Sequence, residues 1–244
     1  MVSEVAALFD RMHALVIGPG LGRCPLVLRA TARIISLARE KTIPMVIDAD
    51  GLYLLTLEEN ADLVAGYKGL VLTPNAMEMK SLVQNLGPNY AKKHPEGDFN
   101  DLNEAGLSMT NFDRATDGNI IIKKGQNDIL FTIVKDNSLK DGEVSVTRGT
   151  MICEEEGGLK RSGGIGDILS GCIGAFVAWN TILSRERHGM DLLHEDLLLS
   201  CWSACCVTKR ATNIAFIKKR RAMTAPDVLE EIGSVFDKMV GDNT

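Results

Sequence analysis

Short apolar runs alternate with amphipathic stretches along the first half of the chain. The runs at 13–18, 43–51 and 69–75 are continuous, which is typical of strands buried on both faces, and each ends in Gly, Asp, Thr or Asn. Between them, residues 25–40 and 76–86 carry apolar side chains at helical spacing. This alternation predicts a parallel sheet with crossover helices, and therefore an α/β fold.

The rest of the chain adds a strand at 119–125 and a strand pair around the turn signal DNS. Gly87 and Pro88 predict the end of the preceding helix, and the polar stretch 88–118 predicts an insertion built around a helix. Three helical patterns follow, at about 167–183, 193–212 and 225–240, with Thr224 and Pro226 opening the last.

Polar and glycine residues follow the predicted strands where each strand ends. Ligands of open α/β sheets bind beyond the carboxyl ends of the strands, so these segments are expected along one functional edge. The segments are Gly18–Gly22, Asp48–Gly51, Thr73–Glu78 and Lys123–Asp128.

Composition restricts the classes of partner. Apolar residues make up 45% of the chain and charged residues 24%, as in ordinary globular proteins. The net charge of −5 argues against nucleic acid as a partner, and the basic run 218–221 is interpreted as a solvated helix end. No apolar stretch is expected to reach membrane-spanning length, so no membrane partner is expected. The six cysteines form no CxxC pair, which predicts a reduced intracellular protein without a structural metal.

The segment Gly163–Asp167, GGIGD, carries the strongest chemical signal. A helix that starts near Gly166 leaves backbone N–H groups unpaired, and glycines before it let an anion approach them. Asp167 at the mouth of such an anion site fits a general base that deprotonates a hydroxyl attacking a phosphate. The alternative is a glycine-rich helix entry in which Asp167 only complements the helix dipole. The segment is not a Walker loop.

Three other segments are ambiguous when taken alone. The loop 18–23, GPGLGR, lacks the third glycine of a dinucleotide fingerprint. Asn75 and Glu78 fit either a helix cap or a ligand contact. The strand end at 120–128 fits either a solvated end or an anion site.

Five segments together resemble the ATP-dependent NAD(P)HX dehydratases of the ribokinase-like superfamily. The order and spacing match in GPGLGR, VIDADGL, LTPNAMEMKSL, KKGQNDIL and SGGIGDILSGCIGAF. The resemblance implies one ribokinase-like domain over residues 1–244, with a three-layer α/β/α fold and a mostly parallel central sheet. It also implies that the usual N-terminal portion of the domain is lacking here, so that an exposed sheet edge is expected.

The resemblance implies a repair reaction. ATP phosphorylates the ring hydroxyl of the S-form of hydrated NADH or NADPH, and phosphate then leaves to restore NAD(P)H, with ADP as the other product. ATP and Mg²⁺ are the implied cofactors, and no protein metal ligand can be named, although Asp48 or Glu78 could act through water. Two alternatives stay open: a small-molecule alcohol kinase of the same superfamily, and a nucleotide-binding protein without activity.

Residue by residue, the resemblance assigns Asp167 as the catalytic base and a substrate contact. The implied ATP-binding residues are Lys124, Gly125, Gln126, Asn127, Asp128, Gly157, Gly158, Ser162, Gly163, Gly164, Ile165 and Gly166. The implied hydrate-binding residues are Gly20, Gly22, Asn75, Ala76, Met77, Glu78, Met79, Lys80 and Ser81, together with Asp167.

The resemblance also implies partners. The chain is expected to act alongside an NAD(P)HX epimerase, which supplies the S-form, and to form a homo-oligomer. Its expected location is the cytoplasm, with a mitochondrial form if an upstream targeting segment exists.

Overall fold

The computed structural model describes residues 1–94, 111–136, 145–188 and 194–241. In these ranges the chain forms a six-stranded sheet with strands in sequence order. The strands are Leu15–Ile17 (β1), Met45–Ile47 (β2), Leu70–Leu72 (β3), Ile120–Lys123 (β4), Asp128–Asp136 (β5) and Ser145–Cys153 (β6).

The sheet is mixed, with a parallel part followed by an antiparallel hairpin. β1 to β4 are parallel, and Val16 is opposite Val46, which is in turn opposite Val71. β5 returns antiparallel to β4, and β6 pairs antiparallel with β5. The predicted strand pair is therefore confirmed; Asp136 of the DNS signal ends β5, and residues 137–144 lie outside the described residues.

Helices cover both faces of the sheet, which confirms the expected three-layer α/β/α arrangement. The helices are Val2–Ala6 (α1), Pro25–Glu40 (α2), Asp50–Leu55 (α3), Ala76–Lys93 (α4), Asn111–Ala115 (α5), Ile165–His188 (α6), His194–Lys219 (α7) and Ala225–Val240 (α8). α2, α3, α4 and α5 pack on one face, and α6 and α7 on the other, with α8 against α6 and α7.

Alternate strand residues divide between the two layers. Met45 and Ile47 enter the core under α2, α3 and α4, whereas Val46 and Ile120 enter the core under α6 and α7. All four are almost completely buried. The continuous apolar runs of the sequence follow from this burial on both faces.

The prediction that the helix after β3 stops at Gly87 and Pro88 is wrong, because α4 continues to Lys93. An interior proline costs a helix about 3 kcal/mol. Beyond the proline, the Asn89 amide donates to the Thr56 carbonyl at 3.0 Å. Such contacts anchor the last turns of α4, so tertiary packing outweighs the local preference.

The predicted strand at 43–51 is too long. β2 ends at Ile47, and α3 begins at Asp50. The acidic residues that follow Ile47 therefore form a tight connection at the sheet edge. Of the predicted insertion, α5 is described, and residues 95–110 lie outside the described residues.

The C-terminal helices follow the predicted pattern and extend beyond it. α6 and α7 are longer than predicted, and α8 starts with the Asp227 carboxylate accepting from the Thr224 N–H at 2.8 Å. By length and composition alone, residues Ile165–Glu186 could cross a membrane, so the expectation that no stretch reaches that length is wrong. Leu169 and Ile173 of this helix pack into the core.

Candidate functional site

The loops after β1 and β2 are fitted against each other at the sheet edge. Gly18 has φ +124°, and a Cβ there would lie 1.8 Å from the Asp48 carbonyl oxygen, so only glycine fits. The Gly22 N–H and the Arg23 Nε donate to the two carboxylate oxygens of Asp50, at 3.1 and 2.9 Å. Asp50 thus fixes the far end of the loop 18–23.

A buried ion pair joins the loops after β2 and β4. Lys124 Nζ lies 2.6 Å from Asp48 Oδ1, and the Asp48 side chain is only 1% exposed. The same oxygen accepts from the Ala49 N–H at 2.8 Å. Lys124 also lies 3.9 Å from Glu78 Oε2, and its own N–H donates to the Pro74 carbonyl at 2.9 Å. The ends of β2, β3 and β4 therefore meet around the Lys124 ammonium.

Ala49 holds a strained backbone between the two acids. Its φ of +47° lies in the left-handed region, where a residue with a Cβ is disfavoured. Asp48 on one side is paired with Lys124, and Asp50 on the other side holds Gly22. Strain of this kind persists where the surroundings over-determine it, and it is concentrated at functional sites.

The N-terminus of α6 points at the same cluster. A Cβ at Gly166 would lie 3.4 Å from Lys124 Nζ and 3.9 Å from Asp48 Oδ2. A Cβ at Gly163 would meet no atom within 4 Å, so the space before the helix is open. The helix N–H groups and the helix dipole favour an anion at this point, whereas the Lys124 ammonium is already balanced by the Asp48 carboxylate. Asp167 lies exposed in the first turn of α6.

Gly164 has a different role from Gly163. Its φ is +88°, and a Cβ there would lie 2.9 Å from the Ala225 Cβ at the start of α8. The turn is therefore packed against α8 on this side and open on the other. The glycine at 164 is required by backbone conformation and packing, whether or not an anion binds nearby.

The segment that opens α4 forms a complete capping box. The Asn75 carboxamide oxygen accepts from the N–H groups of Met77 and Glu78, at 2.9 and 3.0 Å, and Glu78 Oε2 accepts from the Asn75 N–H at 2.8 Å. The helix-cap interpretation is therefore confirmed. The Met77 side chain is 73% exposed, and Ala76 and Lys80 are also exposed.

The other implied hydrate contacts surround the same edge. Gly20 and Gly22 both have positive φ, and a Cβ at either would meet no atom within 4 Å. Met79 and Ser81 are half-buried on the first turns of α4. Gly22 is tied to Asp50, and Glu78 approaches Lys124, so these two are linked to the central cluster through named contacts.

The turn after β4, residues 124–128, is closed on itself. The Gly125 N–H donates to Asp128 Oδ1 at 2.9 Å, and burial of the Asp128 carboxyl raises its pKa. Lys209 of α7 donates to the carbonyls of Gly125 and Gln126, each at 2.7 Å. The strand end is solvated, since Lys123, Gly125, Gln126 and Asn127 are exposed, but these contacts hold its backbone in place.

The segment 157–162 runs from β6 toward α6 along α7. The Gly158 N–H donates to Thr212 Oγ1 at 3.1 Å, and a Cβ on Gly158 would lie 2.5 Å from the Thr212 carbonyl oxygen. Lys160 donates to the Met223 carbonyl at 2.5 Å. The Ser162 hydroxyl is 3.5 Å from the Gly163 carbonyl, at the limit of a hydrogen bond.

The described residues contain no group of three His, Cys, Asp or Glu side chains that could hold a metal ion. Asp48 is already paired with Lys124, and Glu78 is committed to the α4 cap. Each of these two carboxylates therefore has one oxygen already engaged by a protein partner.

Sequence reasoning missed three residues that shape this edge. Asp50 lies within the segment 48–51 and could have been found from its position between two glycine loops. Lys209 and Thr212 lie in the middle of α7, far along the chain from the turns they hold. Nothing in the sequence around them signals that contact.

Comparison with known proteins supports the resemblance. A family model described as NAD(P)H-hydrate dehydratase (Carb_kinase) matches residues 1–234. The ATP-dependent (S)-NAD(P)H-hydrate dehydratase of Neurospora crassa is 35% identical over 245 residues, which cover 99% of this chain and 64% of that protein. The Homo sapiens protein of the same name is 32% identical over 240 residues, covering 98% of this chain and 60% of that protein. The chain thus spans less than two thirds of the length of these relatives.

The fold also has a solved counterpart. The crystal structure of the hypothetical protein SMU.573 from Streptococcus mutans matches with a TM-score of 0.63 at 18% identity, over 98% of this chain and 71% of that chain. At this identity the match shows the fold alone. The family model, by contrast, covers nearly the whole sequence, including every segment of the sheet edge described above. The chain therefore belongs to the NAD(P)H-hydrate dehydratase family.

Proposed function

We propose that this chain catalyses the ATP-dependent dehydration of the S-form of hydrated NADH and NADPH. The products would be NAD(P)H, ADP and phosphate. Family membership and the names of the relatives from Neurospora crassa and Homo sapiens support this proposal. Because the chain spans 64% and 60% of those two proteins, its own activity has to be measured directly.

The observation that carries the proposal is the environment of the α6 N-terminus. Its first N–H groups and the positive end of the helix dipole lie beside the open space at Gly163, with the Asp48–Lys124 ion pair next to Gly166. In the proposed complex the ATP phosphates lie here, with the nucleotide also contacting the turn 124–128 and the segment 157–158. The hydrate lies between Gly20, Gly22 and the start of α4.

Asp167 is proposed to take the proton from the ring hydroxyl of the hydrate as the hydroxyl oxygen bonds to the γ-phosphorus of ATP. The bond between that phosphorus and ADP breaks at the same time. General-base assistance of this kind contributes about 10²–10⁴ to a rate. The backbone N–H groups at 163–166 and Lys124 would stabilise negative charge on the transferring group.

The second half of the reaction follows from leaving-group chemistry. Hydroxide is a poor leaving group, whereas phosphate departs readily as the ring nitrogen pushes electrons toward the carbon–oxygen bond. The neighbouring ring carbon then loses a proton, and the double bond of NAD(P)H is restored. The role of the chain in this step is to hold the ring in place at the sheet edge.

Magnesium is proposed to arrive with ATP rather than to occupy a protein site. Mg²⁺ keeps several waters and binds phosphate oxygens well. The nearby carboxylates Asp48 and Glu78 already have partners. No step is therefore assigned to a metal held by protein ligands.

The experiment is a turnover assay with chemically prepared NADH hydrate. The ultraviolet absorbance of NADH should rise in the presence of ATP and Mg²⁺, and one ADP should form for each NADH. No rise should occur without ATP. Phosphate transfer to an unrelated alcohol, with the hydrate inert, would instead favour a small-molecule kinase.

A nucleotide-binding protein without turnover is the other outcome. It would show ATP-dependent thermal stabilisation together with no ADP release in the presence of hydrate. This result would refute the dehydratase proposal while leaving the anion site at the α6 N-terminus intact.

The proposal extends to partners and location. An epimerase that interconverts the two hydrate forms would supply the S-form, and the cytoplasm is the proposed compartment.

A homo-oligomer is also proposed. Within the described residues β1 pairs on one side only, with β2, and Val16 is 42% exposed. Light scattering over a range of protein concentrations would measure the association.

A further inference from the structure

Lys209 lies on the face of α7 that meets the turn after β4. Its Nζ donates to the carbonyl oxygens of Gly125 and Gln126, each at 2.7 Å, and lies 3.4 Å from Asp128 Oδ1. The Lys209 side chain is 13% exposed, and that of Asp128 is 6% exposed. A single ammonium group therefore contacts three acceptors of one short turn.

These three contacts match the donor capacity of the side chain. A lysine ammonium has three N–H donors and no acceptor. With two donors on backbone carbonyls and the third facing a carboxylate, Lys209 has none left for a bound phosphate. Its contribution to ligand binding therefore acts through the turn rather than by contact.

The turn depends on this support from outside. A Cβ on Gly125 would lie 2.9 Å from the Asn127 carbonyl oxygen, so the backbone is tightly folded back on itself. Inside the turn, the Gly125 N–H is bonded to Asp128. The carbonyls of Gly125 and Gln126 find their donor only in Lys209 among the contacts within the described residues.

The same helix face also holds the second nucleotide segment. Thr212 lies three residues after Lys209, and its hydroxyl accepts from the Gly158 N–H at 3.1 Å and donates to the Lys209 carbonyl at 2.7 Å. A Cβ on Gly157 would lie 3.2 Å from Lys209 Cδ. One turn of α7 therefore sets the spacing between residues 125–128 and residues 157–158.

We propose that Lys209 is a positioning residue for ATP, which fixes the turn 125–128 against the segment 157–158 in the geometry that the nucleotide requires. This inference rests on the proposed function, because it takes both segments to be ATP contacts. Lys209 itself touches neither ATP nor the hydrate.

The test is the change Lys209→Met, which keeps a long unbranched side chain and removes the three donors. ATP binding is measured by titration calorimetry on the full chain, and the KM for ATP and kcat are measured in the hydrate assay. The dissociation constant and the KM should rise about ten-fold or more, because charge-assisted hydrogen bonds that order the site are lost. The kcat at saturating ATP should change much less.

Lys218→Met is the matched control. Lys218 is on the same helix and is also paired with a mostly buried carboxylate, Glu231, at 2.7 and 2.9 Å. It makes no contact with the turn 125–128. This variant should lose stability without a change in ATP affinity.

A second comparison separates positioning from charge balance. Lys209→Met leaves the buried Asp128 carboxylate without its ion-pair partner, which lowers stability by itself. The double variant Lys209→Met with Asp128→Asn removes that charge and should recover most of the melting temperature. Its KM for ATP should nevertheless stay well above that of Asp128→Asn alone, because the two carbonyl contacts are still missing.

The outcomes distinguish this inference from the proposed function. Unchanged ATP affinity in Lys209→Met, or a KM in the double variant equal to that of Asp128→Asn, would overturn the positioning role. ATP binding without hydrate turnover in the unaltered chain would overturn the dehydratase proposal and leave the positioning role standing. Absence of ATP binding in the unaltered chain would overturn both.

Discussion

Replacement of Gly164 by alanine should destabilise the protein for two separable reasons. The backbone at 164 has φ +88°, and a left-handed conformation costs a residue with a Cβ about 1–2 kcal/mol. The new Cβ would lie 2.9 Å from the Ala225 Cβ, and overpacking of this kind costs about 1–3 kcal/mol. The expected loss in the free energy of unfolding is therefore about 2–5 kcal/mol.

Gly163→Ala is the matched control one residue earlier. Gly163 does not have a positive φ, and a Cβ there would meet no atom within 4 Å. Its effect on stability should stay within about 0.5 kcal/mol. The same open space is the proposed location of the phosphates, so this variant should weaken ATP binding although the fold is unchanged.

A double variant isolates the steric part of the effect. Gly164→Ala combined with Ala225→Gly removes the close pair of methyl groups and keeps the unfavourable φ. In the double-mutant cycle, the coupling free energy between positions 164 and 225 should be about 1–3 kcal/mol. Ala225→Gly alone should cost about 1 kcal/mol, because it places a glycine in the first turn of α8.

Thermal and urea unfolding measure these values. Each kcal/mol should lower the melting temperature by about 2–4 °C in a chain of this size. A loss below about 1 kcal/mol for Gly164→Ala, or strictly additive effects in the cycle, would refute the reasoning about this turn.

Three further variants or reagents test the charges and thiols. Burial lowers the pKa of His194, so the unfolded chain takes up the proton at a higher pH than the folded chain does. Stability should therefore be lost as pH falls below about 6.5. His194→Gln should abolish that loss in melting curves recorded between about pH 7 and 5. Burial raises the pKa of Asp128, so the deficit of Lys209→Met should shrink as pH falls and Asp128 becomes protonated, and a deficit independent of pH would contradict this. Backbone N–H groups at the start of α2 lower the pKa of the exposed Cys24 thiol, whereas burial raises that of Cys205; a thiol reagent should therefore modify Cys24 first in the native protein, as mass spectrometry can show.

Local sequence signals predicted the elements where pattern and packing agree. Helix α2 spans residues 25–40 as its periodicity predicts, because Pro25 suits the first turn and Leu28, Ile35 and Ala38 at helical spacing are buried in one layer. The continuous runs also located the first three strands. Helix α4 shows the limit, since Pro88 is a local stop signal that contacts such as Asn89 with Thr56 outweigh.

The candidate site divides in the same way. The glycines of 163–166 and Asp167 were visible in the sequence, because an anion site at a helix N-terminus is built from neighbouring residues. Lys124 and its partner Asp48, by contrast, are 76 positions apart in the chain. Lys209, which donates to the carbonyls of Gly125 and Gln126, is more than 80 positions from each. Pairs so distant in sequence leave no periodic signal, and only the folded chain shows them.

The Asn75 segment shows that one sequence feature can serve two purposes. The capping box satisfies the first N–H groups of α4, which explains Asn75 and Glu78 without any ligand. The 3.9 Å approach of Glu78 to Lys124 nevertheless connects that cap to the central cluster. A contact with the hydrate at this segment is therefore a proposal about binding and has no bearing on why the helix starts there.

The most direct test of the account is the change Asp167→Asn, with NADH formation from the hydrate and ATP binding measured on the same protein. Glu195→Gln, which changes an exposed acid in the first turn of α7, is the control and should leave both unchanged. Asp167→Asn should bind ATP within about three-fold of the unaltered chain and lose about 10²-fold or more in turnover, because the base is removed while the helix N–H groups remain. Turnover that survives the change, or ATP binding that disappears with it, would contradict the assignment of Asp167 as the base beside a main-chain anion site.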